Sequence, residues 1–187
     1  MIKKDINQND ILNSELLNIM DYDFIFHEKP INRIKTKPTL ENSKSRLYIL
    51  KSKIENIENC DLKKNASKIV FADGNIVSPI MIVGEGPGQK EDELGKPFVG
   101  DAGNLLNKML KAINIERNKT YITNVVNYRP PNNRKPEQNE ISRYSEFLKE
   151  HISIINPKIL ILMGSTAMEA ILGSNKKISQ ERGQWKE

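Results

Sequence analysis

The chain alternates short apolar runs with longer amphipathic segments, and this alternation restricts the possible folds more than any other feature. The apolar runs occupy residues 79–84, 121–126 and 159–164, and two of them end in glycine. Runs this short and this apolar are typical of parallel strands that are buried on both faces of a sheet. The sequence therefore predicts a small parallel sheet.

Amphipathic helices are predicted before and between these strands. Thr166 and Glu169 have the spacing of a capping box, which predicts a last helix that begins after Gly164 and ends at Gly173. Alternating strands and helices imply right-handed crossovers and a three-layer α/β/α sandwich with a short parallel sheet. The apolar faces of the other helices comprise Leu47, Leu50, Ile54 and Ile57; Leu105, Leu106, Met109, Leu110 and Ile113; and Ile141, Tyr144, Leu148 and Ile152.

Charge and cysteine content exclude several classes of protein. The 187 residues contain 29 Lys and Arg against 24 Asp and Glu, a formal net charge of +5 that suits a polyanionic partner. Cys60 is the only cysteine, so an intrachain disulfide and a four-cysteine zinc or iron–sulfur site are excluded.

No signal peptide is evident, and no apolar run approaches the roughly 20 residues that span a bilayer. We expect a soluble, cytoplasmic protein.

The sequence divides into an extension and a domain. Residues 1–45 are predicted to be a helical or irregular extension, in which Asp10 can cap a short helix and Pro30 and Pro38 follow in polar surroundings. Residues 46–187 have the length of one domain with its own core. In parallel α/β sheets, ligands bind at the carboxyl ends of the strands, so we expect the chemistry in the loops that follow them.

The loop after the first predicted strand contains alternating glycines and several carboxylates. These residues are Gly84, Gly86 and Gly88, together with Glu85, Glu91 and Asp92. The glycines let the backbone approach a ligand closely, but Gln89 replaces the third glycine of the dinucleotide pattern and no P-loop signature follows, so a nucleotide cofactor is not expected. Two interpretations of the carboxylates stay open: they orient water or a ligand, or they cap backbone amides and face solvent.

Two further loops carry candidate binding residues. Phe98 lies among glycines and a proline, and it is either a core residue or a ring presented for stacking on a planar ligand. Asn124 falls near the end of the second predicted strand, where its amide can read the edge of a base with one donor and one acceptor. The next loop carries three cations that either contact phosphates or stay solvated: Arg129, Arg134 and Lys135.

Four segments, taken together, resemble the type-4 uracil-DNA glycosylases: GEGPGQKED, GKPFVGDAGNLL, YITNVVNYRPPNNRKP and ILILMGSTAMEAILG. The similarity extends from about Cys60 to the last residue. It implies the uracil-DNA glycosylase fold, a DNA substrate, and hydrolysis of the bond between uracil and deoxyribose in base-excision repair. Enzymes of this kind flip the target nucleotide into a pocket, which costs least for a mispaired or single-stranded base.

The resemblance also implies which residues form the uracil pocket. Gly84, Glu85 and Gly86 correspond to the backbone segment beside the uracil. Phe98 corresponds to the ring that stacks on the base, and Asn124 corresponds to the amide that selects uracil over cytosine. The pocket is therefore expected where the first two strands end.

Three residues receive more specific roles from the resemblance. Glu91 corresponds to the residue that crowds the C5 position of uracil and thereby excludes thymine. Glu85 and Asn133 correspond to the polar pair that positions the attacking water. Because uracil can leave as a delocalised anion, stabilising that anion and a cationic sugar matters more than strong general-base catalysis.

The sequence departs from the family at two places. Most members hold a four-iron cluster with four cysteines, whereas here only Cys60 is present and the other positions correspond to Ile57, Tyr128 and Tyr144. We therefore expect packing in place of the cluster, with no cofactor and no metal. The family also continues into a final strand and a His-Pro loop that supplies a histidine and a wedge side chain, and this last strand is expected to be missing here.

Two functional hypotheses follow from the resemblance and its departures. The first is a uracil-DNA glycosylase without a cluster, acting as a monomer on single- or double-stranded DNA that contains uracil. The second is a truncated glycosylase-like protein that folds and binds DNA but has weak activity or none, because the His-Pro loop is absent. Neither hypothesis involves a membrane.

Overall fold

The computed structural model describes residues 40–173 and 175–186 of the chain. The helices are α1 (Leu40–Glu55), α2 (Asp61–Asn65), α3 (Gln89–Leu94), α4 (Asp101–Ala112), α5 (Gln138–Ile155), α6 (Ser165–Leu172) and α7 (Ile178–Glu181). The strands are β1 (Asp73–Gly74), β2 (Ile80–Gly84), β3 (Tyr121–Asn124) and β4 (Ile159–Leu162). Short 3₁₀ helices at Arg117–Lys119 and Pro131–Asn133 precede β3 and α5.

The strands form one sheet in the order β1-β3-β2-β4. β2 is parallel to β3 and to β4, as predicted, and the two-residue strand β1 pairs antiparallel with β3. β3 ends at Asn124, before the end of its apolar run, although Val125 and Val126 still donate backbone hydrogen bonds to the carbonyl oxygens of Gly84 and Glu85. The loops after β2 and β3 therefore leave the sheet side by side.

Helices cover both faces of the sheet. Met81 and Val83 of β2 pack in a core with residues of α1, α5 and α6, whereas Ile82 packs on the opposite face with Leu106 and Leu110 of α4. Successive side chains of a strand point to opposite faces, so a strand between two helical layers must be apolar throughout. The predicted α/β/α sandwich is confirmed.

One expectation about burial is wrong, and one predicted apolar helix face is only partly buried. β4 lies at the edge of the sheet, and Ile159 and Ile161 are each 36% exposed, so β4 is not buried on both faces. The buried face of α4 is also narrower than the sequence pattern, because three of its five apolar residues are exposed: Leu105, Met109 and Ile113. A helical period identifies which residues share a side of the helix, but it does not show how far the neighbouring layer extends over that side.

The boundary predicted between an extension (residues 1–45) and a domain (residues 46–187) stays a prediction. Residues 1–39 lie outside the described residues, and α1 itself runs across the boundary from Leu40 to Glu55. Leu47, Leu50 and Ile54 of α1 are buried in the core, as their spacing predicts. Within the described ranges, no helix combines the length and the apolar character that a membrane span requires.

His151 of α5 is a buried histidine that lies against the core. It is 2% exposed, stacks on Phe71 with the ring centroids 4.7 Å apart, and shares a 2.7 Å hydrogen bond with the hydroxyl of Tyr121. Burial lowers the pKa of His151 to about 3, because the charged imidazolium would lose its hydration there. The ring is therefore neutral in the folded protein over the whole physiological range.

We expect the free energy of unfolding to decrease by about 2 kcal/mol between pH 7 and pH 5. An unfolded histidine titrates near 6.5, above the folded pKa, so the unfolded chain binds the proton first and stability is lost as the pH falls from 6.5 towards 3. Urea titrations at the two pH values measure the difference. The His151→Gln variant, which keeps a partner for Tyr121, should lack this slope, and an unchanged slope in that variant would refute the assignment to His151.

Candidate functional site

The carboxyl ends of β2 and β3 place a glycine and an amide side by side. Gly84 and Asn124 are the last residues of these strands, and they pair in register. Asn124 is only 3% exposed, and nothing within residues 40–173 and 175–186 hydrogen-bonds to its side-chain amide. Its nitrogen and oxygen still reach solvent, since neither belongs to the side-chain polar atoms of the described residues that are both buried and without a hydrogen-bond partner. The amide is therefore open to a ligand at the carboxyl end of the strand.

The ring of Phe98 lies against the same two residues. A Cβ built on Gly84 would lie 2.5 Å from Phe98 Cζ and 2.5 Å from Asn124 Oδ1, which is closer than real Cβ contacts come. Only glycine therefore lets the ring and the amide approach the backbone here. Phe98 is half-buried and packs against the core cluster that includes Ile82 and Leu106, so the core interpretation holds in part and the stacking role stays a prediction.

Glu85 follows Gly84 and is exposed, and a threonine beyond the end of β4 contacts its carboxylate. Thr166 Oγ1 donates a hydrogen bond to Glu85 Oε2, and Thr166 is fully buried in the first turn of α6. The predicted capping box of Thr166 and Glu169 is wrong, because α6 begins at Ser165 with Gly164 as its N-cap and no side chain caps it. Sequence reasoning missed Thr166 as a site residue, although its place in the third strand-end loop was an available signal.

Glu91 connects two loops through its carboxylate. Oε2 accepts the backbone N–H of Gly88 at 3.1 Å, and Oε1 accepts those of Val99 and Gly100 at 2.9 and 2.7 Å. The amide-capping interpretation of this acid therefore holds. These bonds tie the glycine loop to the segment that follows Phe98, and the exclusion of thymine by Glu91 stays a prediction.

Asp92 has a similar structural role. It is 3% exposed, and its carboxylate accepts the backbone N–H groups of Ser67, at 2.9 and 3.1 Å, and of Lys68, at 3.3 Å. These bonds fix the segment before β1 to the start of α3. The carboxylate of Asp92 is therefore fully engaged in holding the backbone, and we do not assign it to a ligand.

Arg134 is paired within the protein. Its guanidinium donates to both carboxylate oxygens of Glu140, at 2.7 and 2.8 Å, and Glu140 also accepts the backbone N–H of Glu137 at 2.7 Å. The hydrogen bonds from Arg134 are the main reason that the pKa of Glu140 lies below its usual value. The neighbouring Lys135 is exposed, and its ammonium has no partner among the described residues. The phosphate contacts predicted for Arg134 and Lys135 stay predictions.

Asn133 and Glu85, the predicted water-positioning pair, contact different residues. Asn133 has a left-handed backbone with φ of 55°, and its Oδ1 accepts a 2.7 Å hydrogen bond from Nε of Arg129. Asn133 and Glu85, which are both among the described residues, do not hydrogen-bond to each other. Both side chains are exposed, so water reaches each of them, and their joint role stays a prediction, as does the phosphate contact of Arg129.

The four positions that correspond to cluster cysteines converge in one core. Ile57, Cys60, Tyr128 and Tyr144 are all buried in it, and Cys60 Sγ lies 3.4 Å from the Tyr144 hydroxyl. Burial raises the pKa of both tyrosines, so they are neutral phenols. One thiol, two phenols and an aliphatic side chain do not fit a four-iron cluster, which is held by four cysteine thiolates.

A comparison with protein families identifies the class of this fold and site. Residues 71–186, more than half of the chain, match the model of the Uracil DNA glycosylase superfamily. The matched segment contains β2, β3 and β4 and the loops in which Gly84, Phe98, Asn124 and Thr166 lie. Fold, site and family model therefore define a protein of this superfamily.

Individual relatives narrow the class. The type-4 uracil-DNA glycosylase of Thermotoga maritima is 40% identical over 138 residues, which are 73% of this chain and 72% of that protein. The protein of the same name from Sulfurisphaera tokodaii is 41% identical over 145 residues, covering 73% and 66%, and that from Archaeoglobus fulgidus is 42% identical over 112 residues, covering 60% and 56%. The chain belongs to the type-4 uracil-DNA glycosylase family. It spans between 56% and 72% of the length of these three relatives.

Proposed function

We propose that the chain hydrolyses the N-glycosidic bond between uracil and deoxyribose in DNA. One observation carries the proposal: the amide of Asn124, which has no partner among the described residues, meets the ring of Phe98 at Gly84, at the carboxyl edge of the sheet. Membership of the type-4 family supports it, because the relatives bear the name uracil-DNA glycosylase. The chain is accordingly an N-glycosidase of DNA repair.

The amide of Asn124 suits uracil by hydrogen-bond complementarity. It offers one N–H donor and one carbonyl acceptor, and uracil presents a carbonyl beside a ring N–H. Cytosine presents an amino group and an unprotonated ring nitrogen at the same two places, so donor would meet donor and acceptor would meet acceptor. The adjoining ring of Phe98 has a face on which a base can stack. Selection of uracil over cytosine requires the amide to keep this orientation, because an amide turned by 180° would complement cytosine instead.

The reaction asks the protein mainly to stabilise charge. The bond between C1′ and N1 of uracil breaks, uracil takes the electron pair as a delocalised anion, and water supplies the hydroxyl on C1′ and the proton that finally neutralises uracil. We assign Glu85 to orienting this water, with Asn133 as its partner. The hydrogen bond from Thr166 fixes one oxygen of the Glu85 carboxylate, and its other oxygen can accept from water.

A base-release assay tests the proposal. Single-stranded oligonucleotides that differ only in one base, uracil, cytosine or thymine, are incubated with the full chain, and free base and alkali-labile sites are measured. We expect release from the uracil strand alone. Binding of that strand without any release would instead support a glycosylase-like protein that binds DNA, and release of cytosine would contradict the recognition assigned to Asn124.

Binding to DNA is expected to be salt-dependent and indifferent to sequence, because backbone phosphates are the groups that exposed cations contact. Lys135→Ala should reduce the slope of log affinity against log salt by about 0.7 on single-stranded DNA, the contribution of roughly one phosphate contact. Lys149→Ala is the control, since its ammonium on α5 already pairs with Glu146 at 2.8 Å. Identical slopes for both variants would remove Lys135 from the interface.

We further propose that the chain holds no iron–sulfur cluster and that its fold relies on packing around Cys60. The burial of Ile57, Tyr128 and Tyr144 against this thiol supports the proposal. Protein purified without oxygen should be colourless and should contain far less than one iron atom per chain. Stoichiometric iron that disappears in the Cys60→Ser variant would overturn it.

We also propose that the chain works as a monomer in the reducing environment of the cytoplasm. A free, buried thiol at Cys60 is compatible with that environment. Light scattering across a range of protein concentrations tests the monomer, and a mass of twice the chain would contradict it.

A further inference from the structure

Arg117 contacts four groups around the segment that carries the stacking ring. Its Nη2 donates to the carbonyl oxygen of Pro97 at 2.7 Å, and its Nη1 donates to that of Phe98 at 2.9 Å. Asp73 Oδ2 accepts from Nε and Nη2 at 3.1 and 3.0 Å, and Asn107 Oδ1 accepts from Nη1 at 3.1 Å. A single guanidinium thus joins β1, α4 and the turn at Pro97 and Phe98.

The conformation of Phe98 is one that needs such support. Its φ of 52° lies in the left-handed region, which a bulky side chain rarely adopts and which persists only where the surroundings enforce it. The Phe98 carbonyl also lies over α4 at Gly103, where an added Cβ would come within 1.9 Å of its oxygen. Gly103 therefore makes room for the carbonyl, and Arg117 binds the same oxygen.

We propose that Arg117, oriented by Asp73, is a positioning residue that holds the Phe98 turn in this conformation and so sets the ring against Gly84 and Asn124. The expected effect of Arg117 on the excision rate rests on the proposed function, whereas its effect on the position of the Phe98 turn does not. Sequence reasoning did not single out Arg117, because its place in a 3₁₀ helix before β3 is far along the chain from Phe98.

A guanidinium suits this position better than an ammonium does. Its planar fork presents donors in fixed directions, so it reaches two successive carbonyl oxygens while it pairs with a carboxylate. The carboxylate of Asp73 is 29% exposed and the guanidinium 22%, so the pair is only partly shielded from solvent and acts through geometry more than through charge. Lysine at this position would keep the positive charge but would lack the planar fork of donors that reaches both carbonyl oxygens.

Kinetics on five variants test the proposal. Arg117→Ala and Arg117→Lys should each lower kcat/KM for uracil excision by about ten- to a hundredfold, the scale on which a stacked aromatic ring contributes. The double variant Arg117→Ala/Phe98→Ala should be no slower than Phe98→Ala alone, because both changes remove the same contribution. Lys119→Ala is the matched control, since Lys119 ends the same 3₁₀ helix and its ammonium, among the described residues, pairs with Glu116 alone, at 3.8 Å. Additive losses in the double variant, or full activity of Arg117→Lys, would overturn the proposal.

Fluorine NMR gives a readout that does not depend on catalysis. Protein labelled with 4-fluorophenylalanine carries five labels, and the Phe98→Leu variant assigns one resonance to Phe98. We expect Arg117→Ala to shift or broaden that resonance, to leave the others in place as a sign of an intact fold, and Lys119→Ala to change nothing. An unmoved Phe98 resonance in Arg117→Ala would refute the positioning role. If the natural chain releases no uracil, the proposed function fails, and this experiment still decides the role of Arg117.

Discussion

Replacing Asn124 by aspartate is expected to lower the single-turnover rate of uracil excision by about 10²- to 10³-fold, the usual cost of losing a donor aimed at developing charge. The carboxylate keeps an acceptor but has no N–H for the uracil carbonyl. It also places a negative charge beside an anion that forms in the transition state. Because Asn124 is 3% exposed, solvent weakens this repulsion little.

The control for this variant is Asn104→Asp, which adds the same charge at an exposed position in the first turn of α4. We expect its rate to equal that of the natural protein. Thermal melting of all three proteins corrects the rates for the folded fraction, since burying a new carboxylate also costs stability. Asn124→Asp with an unchanged rate would show that the amide does not face the base, and the proposed function would lose its main support.

The position of the site was predictable from the chain because it follows from a rule about sheets. Apolar runs identified β2 and β3, and ligands bind at the carboxyl ends of parallel strands, so Gly84 and Asn124 were candidates before any contact was known. The structure adds the register of β2 and β3, which pairs these two residues with each other. Strand ends are local features, and local features are what a sequence pattern reports.

The residues that support the site were not predictable in this way. Thr166 has the spacing of a helix cap, and only the packing of α6 beside β2 shows that its hydroxyl contacts Glu85. Arg134 was predicted to contact phosphate, and only the structure shows that Glu140 pairs with its guanidinium. The partner of a polar side chain is a tertiary property, and helical or strand periodicity carries no information about it.

The edge of the sheet illustrates the same limit. The run that forms β4 is as apolar as the runs that form β2 and β3, yet β4 pairs with β2 alone in the described sheet. Strand order depends on the crossover connections between strands, and a run of apolar residues does not indicate which strands lie beside it in the sheet. Burial of β4 was therefore overestimated, whereas its existence was predicted correctly.

Gly84→Ala is the second variant with a large expected effect, a loss of about 10²-fold or more in the single-turnover rate of uracil excision. Gly84 lies in a regular strand, so alanine is compatible with its backbone. The new methyl group would lie 2.5 Å from both Phe98 Cζ and Asn124 Oδ1, and these two side-chain ends must move away. The substitution therefore displaces both groups assigned to the base, at a cost in stability of about 1–3 kcal/mol.

A second glycine provides the matched control for this substitution. Gly173 follows α6 with φ of +93°, and the nearest atom to an added Cβ lies 3.5 Å away, so Gly173→Ala strains the backbone without filling the site. We expect it to lower the melting temperature and to leave the rate per folded molecule unchanged. If Gly84→Ala behaves in the same way, the methyl group is accommodated and the ring and the amide do not need their close approach. If only Gly84→Ala loses its rate, the convergence of Phe98 and Asn124 at this glycine is what the reaction requires.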